Sequence, residues 1–294
     1  MSMRYTVTGA DAISSRTRLS RFDATSSVYT SNSNNKILIP ISADGFINSA
    51  ESYLFMRVES LHTTAGVAHI EGDLSALIDK LEISVAGSSG KVETIDNYNT
   101  YALLDSRYNA GLDDATYNQI VTGGSAPALT FNPRGARMAV AGGNGGVPDH
   151  VTLAVKLKAG FLSSYYNKAL PMGLPQIQLE LTLANGTDAV IMSANGSANN
   201  HFQVSQVRFY APTFQIMDEQ VMAAYTRQIQ SAATAWVGQS VNTIVNTTAA
   251  GAARRTFQLN ASFKSLNGMV TAIRNNTNLN NVEKATLSNT TLVG

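Results

Sequence analysis

The chain has 294 residues, with 21 basic against 20 acidic side chains and a net charge of +1, a balance unlike the basic stripe that nucleic-acid binding requires. Cysteine is absent, which excludes disulfide frameworks, thiolate metal sites and cysteine nucleophiles together. Charged residues make up only 14%, and Asn, Thr, Ser, Ala and Gly replace them with polarity that can be buried against neighbours without stranding an ion. A crowded assembly suits such a composition, and so does a secreted adhesin.

In the first 21 residues Arg4, Arg16, Arg18 and Arg21 are accompanied by one acid, Asp11. Two readings fit: a solvated tail, or a basic arm whose guanidinium groups touch phosphates of a genome or a lipid. No apolar core of signal-peptide length follows, and no window reaches about 18 consecutive apolar residues. Both observations predict assembly in the cytoplasm of the producing cell.

Two-residue periodicity dominates the rest. Residues 36–41, 53–59 and 81–86 read as strands, and Pro40 places the first at a sheet edge or strand end. In 150–157, Val151, Leu153, Val155 and Leu157 alternate with smaller or polar residues. In 176–183, Ile177, Leu179, Leu181 and Leu183 do the same, and in 255–263 Phe257, Leu259, Ala261 and Phe263 repeat it. Such alternation means strands with one face in a core and one turned outward. Residues 202–210 and 236–247 are further strands, and the phase slip between Val204 and Val207 predicts a bulge.

Helix is scarce. One is expected around 95–108, with Tyr98, Tyr101, Ala102 and Leu104 on one face. Another is expected over 218–232, with Asp218 as N-cap and Val221, Tyr225 and Ile229 in line. Leu74, Leu77, Ile78 and Leu81 have helical spacing but run into an alternating stretch, so 73–80 reads as a short turn feeding a strand. Turn-rich stretches cover 26–35, 111–133 and 142–148. Many strands, few helices, long loops and no strand–helix alternation predict an all-β antiparallel sandwich or jelly roll.

Catalytic chemistry finds little purchase. Gly87, Gly90 and Lys91 lack the spacing of a phosphate loop and read as a hairpin turn; Gly142–Gly146 reads as a loop. His69, Glu71 and Asp73 alternate, so an extended chain would point all three one way. They are weak candidates for a divalent ion beside the commoner reading of a polar loop rim. Asp113 and Asp114 sit in a turn-rich stretch as solvated acids. With four His and no Gly-x-Ser-x-Gly elbow, neither an enzyme nor a cofactor is expected. Six N-x-S/T triplets, from Asn185 to Asn289, reflect composition more than glycosylation.

Four segments, in order, resemble the double jelly-roll major capsid proteins of tailless icosahedral viruses with an internal membrane. The first is LIDKLEISVAGSSGKVETIDNYNTYALL: a strand, a Gly turn, the acid Glu93 and the Tyr98-Asn99 pair leading into a helix. The second is VTLAVKLKAGFLSSYYNKALPMGLPQIQLELTLA, carried by Gly160, Leu170-Pro171 and the alternating strand. FQVSQVRFYAPTFQIMDEQVMAAYTRQI and the Lys264-Ser265-Leu266 step complete the set. The resemblance implies two tandem jelly rolls with a few short helices: an N-terminal arm over 1–25, a first roll over 26–187 and a second over 188–294, small or incomplete. It further implies a homotrimeric, pseudo-hexameric capsomer tiling an icosahedral shell in the virion. The implied partners are copies of itself, penton and minor capsid proteins, and an internal membrane met by the basic arm, without a specific nucleic acid. The rival reading is a trimeric β-rich receptor-binding spike or adhesin.

Overall fold

The computed structural model describes residues 15–42, 45–61, 66–71, 73–85, 90–109, 134–140, 150–162, 169–171, 176–186, 190–192, 201–231, 240–244 and 269. Within them lie fourteen strands: β1 (Ser15–Asp23), β2 (Val28–Thr30), β3 (Lys36–Ile41), β4 (Phe46–Asn48), β5 (Tyr53–Ser60), β6 (Gly66–Glu71) and β7 (Ile78–Val85). After them come β8 (Lys91–Asp96), β9 (Arg134–Val140), β10 (His150–Val155), β11 (Ala169–Pro171), β12 (Ile177–Leu183), β13 (Val190–Met192) and β14 (Phe202–Ile216). The helices are α1 (Tyr98–Asn109) and α2 (Glu219–Ser231). Every strand pairing is antiparallel. The all-β expectation holds.

Three sheets result. Seven strands form the first, built on β14, which has β5 and then β4 on one flank and β2 and then β1 on the other; β10 and β11 extend it. The second runs β3-β12-β7-β8 and the third β13-β6-β9. Alternation dictates how the first two meet. β12 buries every odd-numbered residue from Ile177 to Leu183, and β3 buries Ile37, Ile39 and Ile41 opposite them. On the other sheet β5 turns Leu54, Met56 and Val58 inward, and β14 adds Phe202, Val204, Val207, Phe209 and Ala211. These side chains fall into one continuous core, the arrangement of a sandwich with interdigitating inner faces.

Several local expectations are met. Pro40 lies in β3, an outer strand of its sheet, where a missing N–H costs least. The predicted bulge lies between Ser205 and Arg208 against β5, with Gln206 at φ 51. The turn over Leu74–Leu77 is a single 3-10 turn that passes into β7, its leucines buried. β7 and β8 pair as a hairpin would, although the turn residues 86–89 lie outside the described residues. Asp218 caps α2, its Oδ1 accepting the N–H groups of Gln220 at 2.9 Å and Val221 at 3.2 Å.

β1 is a strand, paired with β14 over nine residues. β14 continues six residues beyond Tyr210 and stands beside β5. The alternation beyond Tyr210 is hard to read because small and polar residues, Ala211 and Thr213, take the buried positions. Pro212 sits where the pairing of β14 with β5, which runs to Tyr210, gives way to its pairing with β4, which starts at Thr213. There a missing donor leaves no neighbouring carbonyl unpaired on that side. The turn-rich stretch 26–35 contains β2. Residues 240–244, expected in a strand, form none; they are held by side chains instead, as described below. The strand expected over 255–263, the Lys264 step and the loops 111–133 and 142–148 lie outside the described residues.

Candidate functional site

The residues that carry the resemblance meet in a buried clasp. β8 turns Glu93 and Ile95 into the sandwich. A carboxylate there must satisfy its oxygens internally. Glu93, 4% exposed, does so with backbone alone: its oxygens accept the N–H groups of Gly160 (2.8 and 3.0 Å), Phe161 (3.0 Å) and Val241 (2.9 Å). Five residues along, Tyr98 opens α1. Its hydroxyl, fully buried, accepts the N–H of Lys158 at 2.8 Å. The Lys158 ammonium in turn donates to the carbonyl of Ala102 at 3.2 Å and pairs with Asp105 at 3.1 Å. Thus β8 and α1 grip the chain leaving β10. Asn97, at φ 50, makes the turn between them, a conformation Asn tolerates better than most residues.

Burial raises the Glu93 carboxyl above its ordinary value of 4.5, with the N–H bonds from Val241, Gly160 and Phe161 opposing it. Burial likewise pushes the Tyr98 phenol far above its ordinary value, so its hydroxyl stays protonated. On the outer face of the four-stranded sheet the balance reverses. Burial would raise Glu82, but Lys91 and Lys80, both within ion-pair distance, hold its carboxyl below the ordinary value. Lys80 also reaches Asp96 at 3.2 Å, and Lys36 pairs with Glu180 at 3.3 Å across β3 and β12.

These opposite shifts predict opposite pH slopes. Glu93, raised in the fold, contributes stability that is complete below its ordinary value and is lost as pH climbs through the raised one. Glu82, depressed, contributes above its ordinary value and loses that contribution as pH falls through the depressed one. Urea unfolding against pH for the wild type, Glu93→Gln and Glu82→Gln checks this. The margin of the wild type over Glu93→Gln should shrink with rising pH, and its margin over Glu82→Gln should grow. Margins that slope the same way would contradict the assignment.

The outer faces of the two large sheets both carry ion pairs, Arg57–Glu59 at 2.8 Å and Arg21–Asp23 at 2.9 Å among those on the seven-stranded sheet, which adds rings to them. The four-stranded face carries the charges just named. The seven-stranded face carries rings: Tyr53 stacks on Tyr210 at 5.1 Å, Phe55 meets Tyr210 edge-on at 6.2 Å, and the Arg208 guanidinium lies 5.9 Å from the centre of Phe55. Farther along, Phe46 stacks on Phe214 at 5.1 Å. Beside them Leu19 is 56% exposed. Reading only inward periodicity misses this stripe; the signal was the run of Tyr, Pro and Phe at alternate positions 210, 212 and 214.

Of the residues singled out in the sequence, Arg16, Arg18 and Arg21 lie exposed on β1. Arg21 pairs with Asp23 at 2.9 Å, and Arg16 and Arg18 have no ion-pair partner among the described residues. Arg4 lies outside them. Asp73 is buried and caps the 3-10 turn, its Oδ1 accepting the Ser75 N–H at 2.7 Å. His69 and Glu71 stand in β6, and their side chains are outside the described residues. The clasp draws on Glu93, Tyr98 and Gly160.

No protein-family model and no curated protein matches the sequence. Solved structures do. A chain of the Sputnik virophage, determined by cryo-electron microscopy, is similar at 13% identity and a TM-score of 0.41; 68% of this chain and 47% of that one are covered. The STIV MCP is similar at 13% identity and a TM-score of 0.34, covering 71% of this chain and 51% of that one. The Faustovirus major capsid protein is similar at 8% identity and a TM-score of 0.40, covering 74% and 57%. The chain spans about half the length of these structures.

Proposed function

We propose that the chain is a shell-forming capsid protein: a double jelly-roll subunit that associates as a homotrimer, with the trimers tiling an icosahedral virion. The observation that carries this reading is the clasp. Two segments that resemble the capsid family separately, around Glu93–Tyr98 and around Gly160, are bonded to each other inside an antiparallel sandwich. Independent chance resemblances give no reason for such a meeting. In this reading the sandwich built from β1 to β14 belongs to the first roll. The stretches 111–133 and 142–148 serve as outward towers or as clamps between subunits. Arg4, Arg16, Arg18 and Arg21 face phosphates of an inner membrane, and penton and minor capsid proteins complete the shell, assembled in the host cytoplasm.

In this account α2 braces the trimer. Among its described side chains Glu219, Gln220, Ala223, Ala224 and Arg227 are exposed, while Val221 and Met222 are half-buried. Replacing Val221 and Ile229 together with Asp should abolish trimers in sedimentation while the sandwich still melts cooperatively; trimers that persist would refute the role of α2.

Electron microscopy of the purified protein tests the reading against its rival. Flat hexagonal arrays or closed shells are expected. Isolated elongated trimers that never tile would favour a receptor-binding spike.

A further inference from the structure

After α2 the chain returns to the sandwich at residues 240–244, with Val241 partly buried against the core. Two hydrogen bonds hold it there. The Val241 N–H donates to Glu93 Oε1 at 2.9 Å, and the Asp96 N–H donates to Thr243 Oγ1 at 2.9 Å. β8 is an outer strand of the four-stranded sheet, with β7 on its one paired flank. Since Asp96 gives its N–H to Thr243, the returning segment lies along the flank that β7 leaves open. Unpaired flanks of this kind invite strands from other molecules.

We propose that Glu93 is a positioning residue that latches residues 240–244 beside the open edge of β8, so that the Thr243 hydroxyl caps the Asp96 N–H there, and fixes where the chain beyond α2 departs. The occupant is named by its bonds. One carboxylate joins three stretches distant in sequence: β8, the exit of β10 at Gly160 and Phe161, and the return at Val241. No side-chain cation pairs with Glu93 among the described residues, so its two oxygens remain for backbone donors. Residues 240–244 bring no ionisable group of their own. The latch is intramolecular and does not depend on the capsid reading.

Amide hydrogen exchange on the intact chain tests it. Val241→Pro removes a single donor and leaves Glu93 with Gly160 and Phe161. Exchange at Asp96 should quicken by about tenfold or more, while Gly160 and the core amide of Leu179 keep their protection. Thr243→Val should quicken Asp96 in the same way. Glu93→Gln, which offers an amide N–H₂ where a donor expects an acceptor, should quicken Asp96, Val241 and Gly160 together and spare Leu179. The latch is overturned if Asp96 keeps wild-type protection in both Val241→Pro and Thr243→Val, or if Leu179 quickens in step with Asp96 in either.

Discussion

Phe209→Ala should cost the fold about 3–5 kcal/mol. Phe209 is fully buried in β14, opposite Phe22 of β1 and Leu54 of β5, with its ring 6.3 Å from that of Phe22. Removing the ring loses its transfer free energy and leaves a cavity. β14 cannot collapse to fill that space, because it is paired on both flanks at this point. Phe214, five residues along on the outer face, is the control. It is only partly buried and rests on Phe46, so Phe214→Ala should lose less. Urea unfolding of both variants measures the difference. A loss at Phe209 below about 1 kcal/mol, or one no larger than that at Phe214, would contradict the packing described.

Gly45→Ala should rival it. Gly45 precedes β4 with φ 93, a conformation that side-chain-bearing residues rarely adopt. Forcing one there costs about 1–3 kcal/mol. A Cβ would also collide with the carbonyl oxygen of Phe214, a backbone atom held in the ladder to β4 that cannot swing aside. Relieving such overpacking costs about 1–3 kcal/mol more. Gly90→Ala serves as the reference, since nothing lies within 4 Å of a Cβ at that position. Thermal melts should separate the two variants clearly, with Gly90→Ala close to wild type. Equal melting temperatures would contradict the geometry at Gly45.

The parts of this fold legible in the sequence are those where one face of a strand is apolar without exception. β12 and β3 show this, and burial follows their pattern residue by residue. The bulge in β14 was legible for the same reason, because a phase slip of one residue moves every later side chain to the other face. β1 was not legible. It carries exposed Arg16, Arg18 and Leu19 and buries only Phe22, so its place in the sheet comes from pairing with β14 and leaves no periodicity to read. β2 and β4, three residues each, are too short to show a period.

The candidate site was legible by half. Glu93, Tyr98 and Gly160 stood out as motif residues, yet nothing in their spacing said that they bond one another, since 67 residues separate Glu93 from Gly160. Lys158 and Asp105 gave no local signal; they matter because α1 passes beside the exit of β10. Asp73 has a task that its spacing does not show. Alternation with His69 and Glu71 groups it with possible ligands, whereas Ser75 two residues on gives its carboxylate a capping task. Sequence spacing reports periodicity well and convergence of distant segments poorly.

The measurement that bears most directly on the proposed shell-forming role is the mass of the purified chain in solution, by light scattering or native mass spectrometry. A compact species of three chains, each 31.3 kDa, is the expected result. A protein that stays monomeric at every concentration and salt condition tried would contradict it.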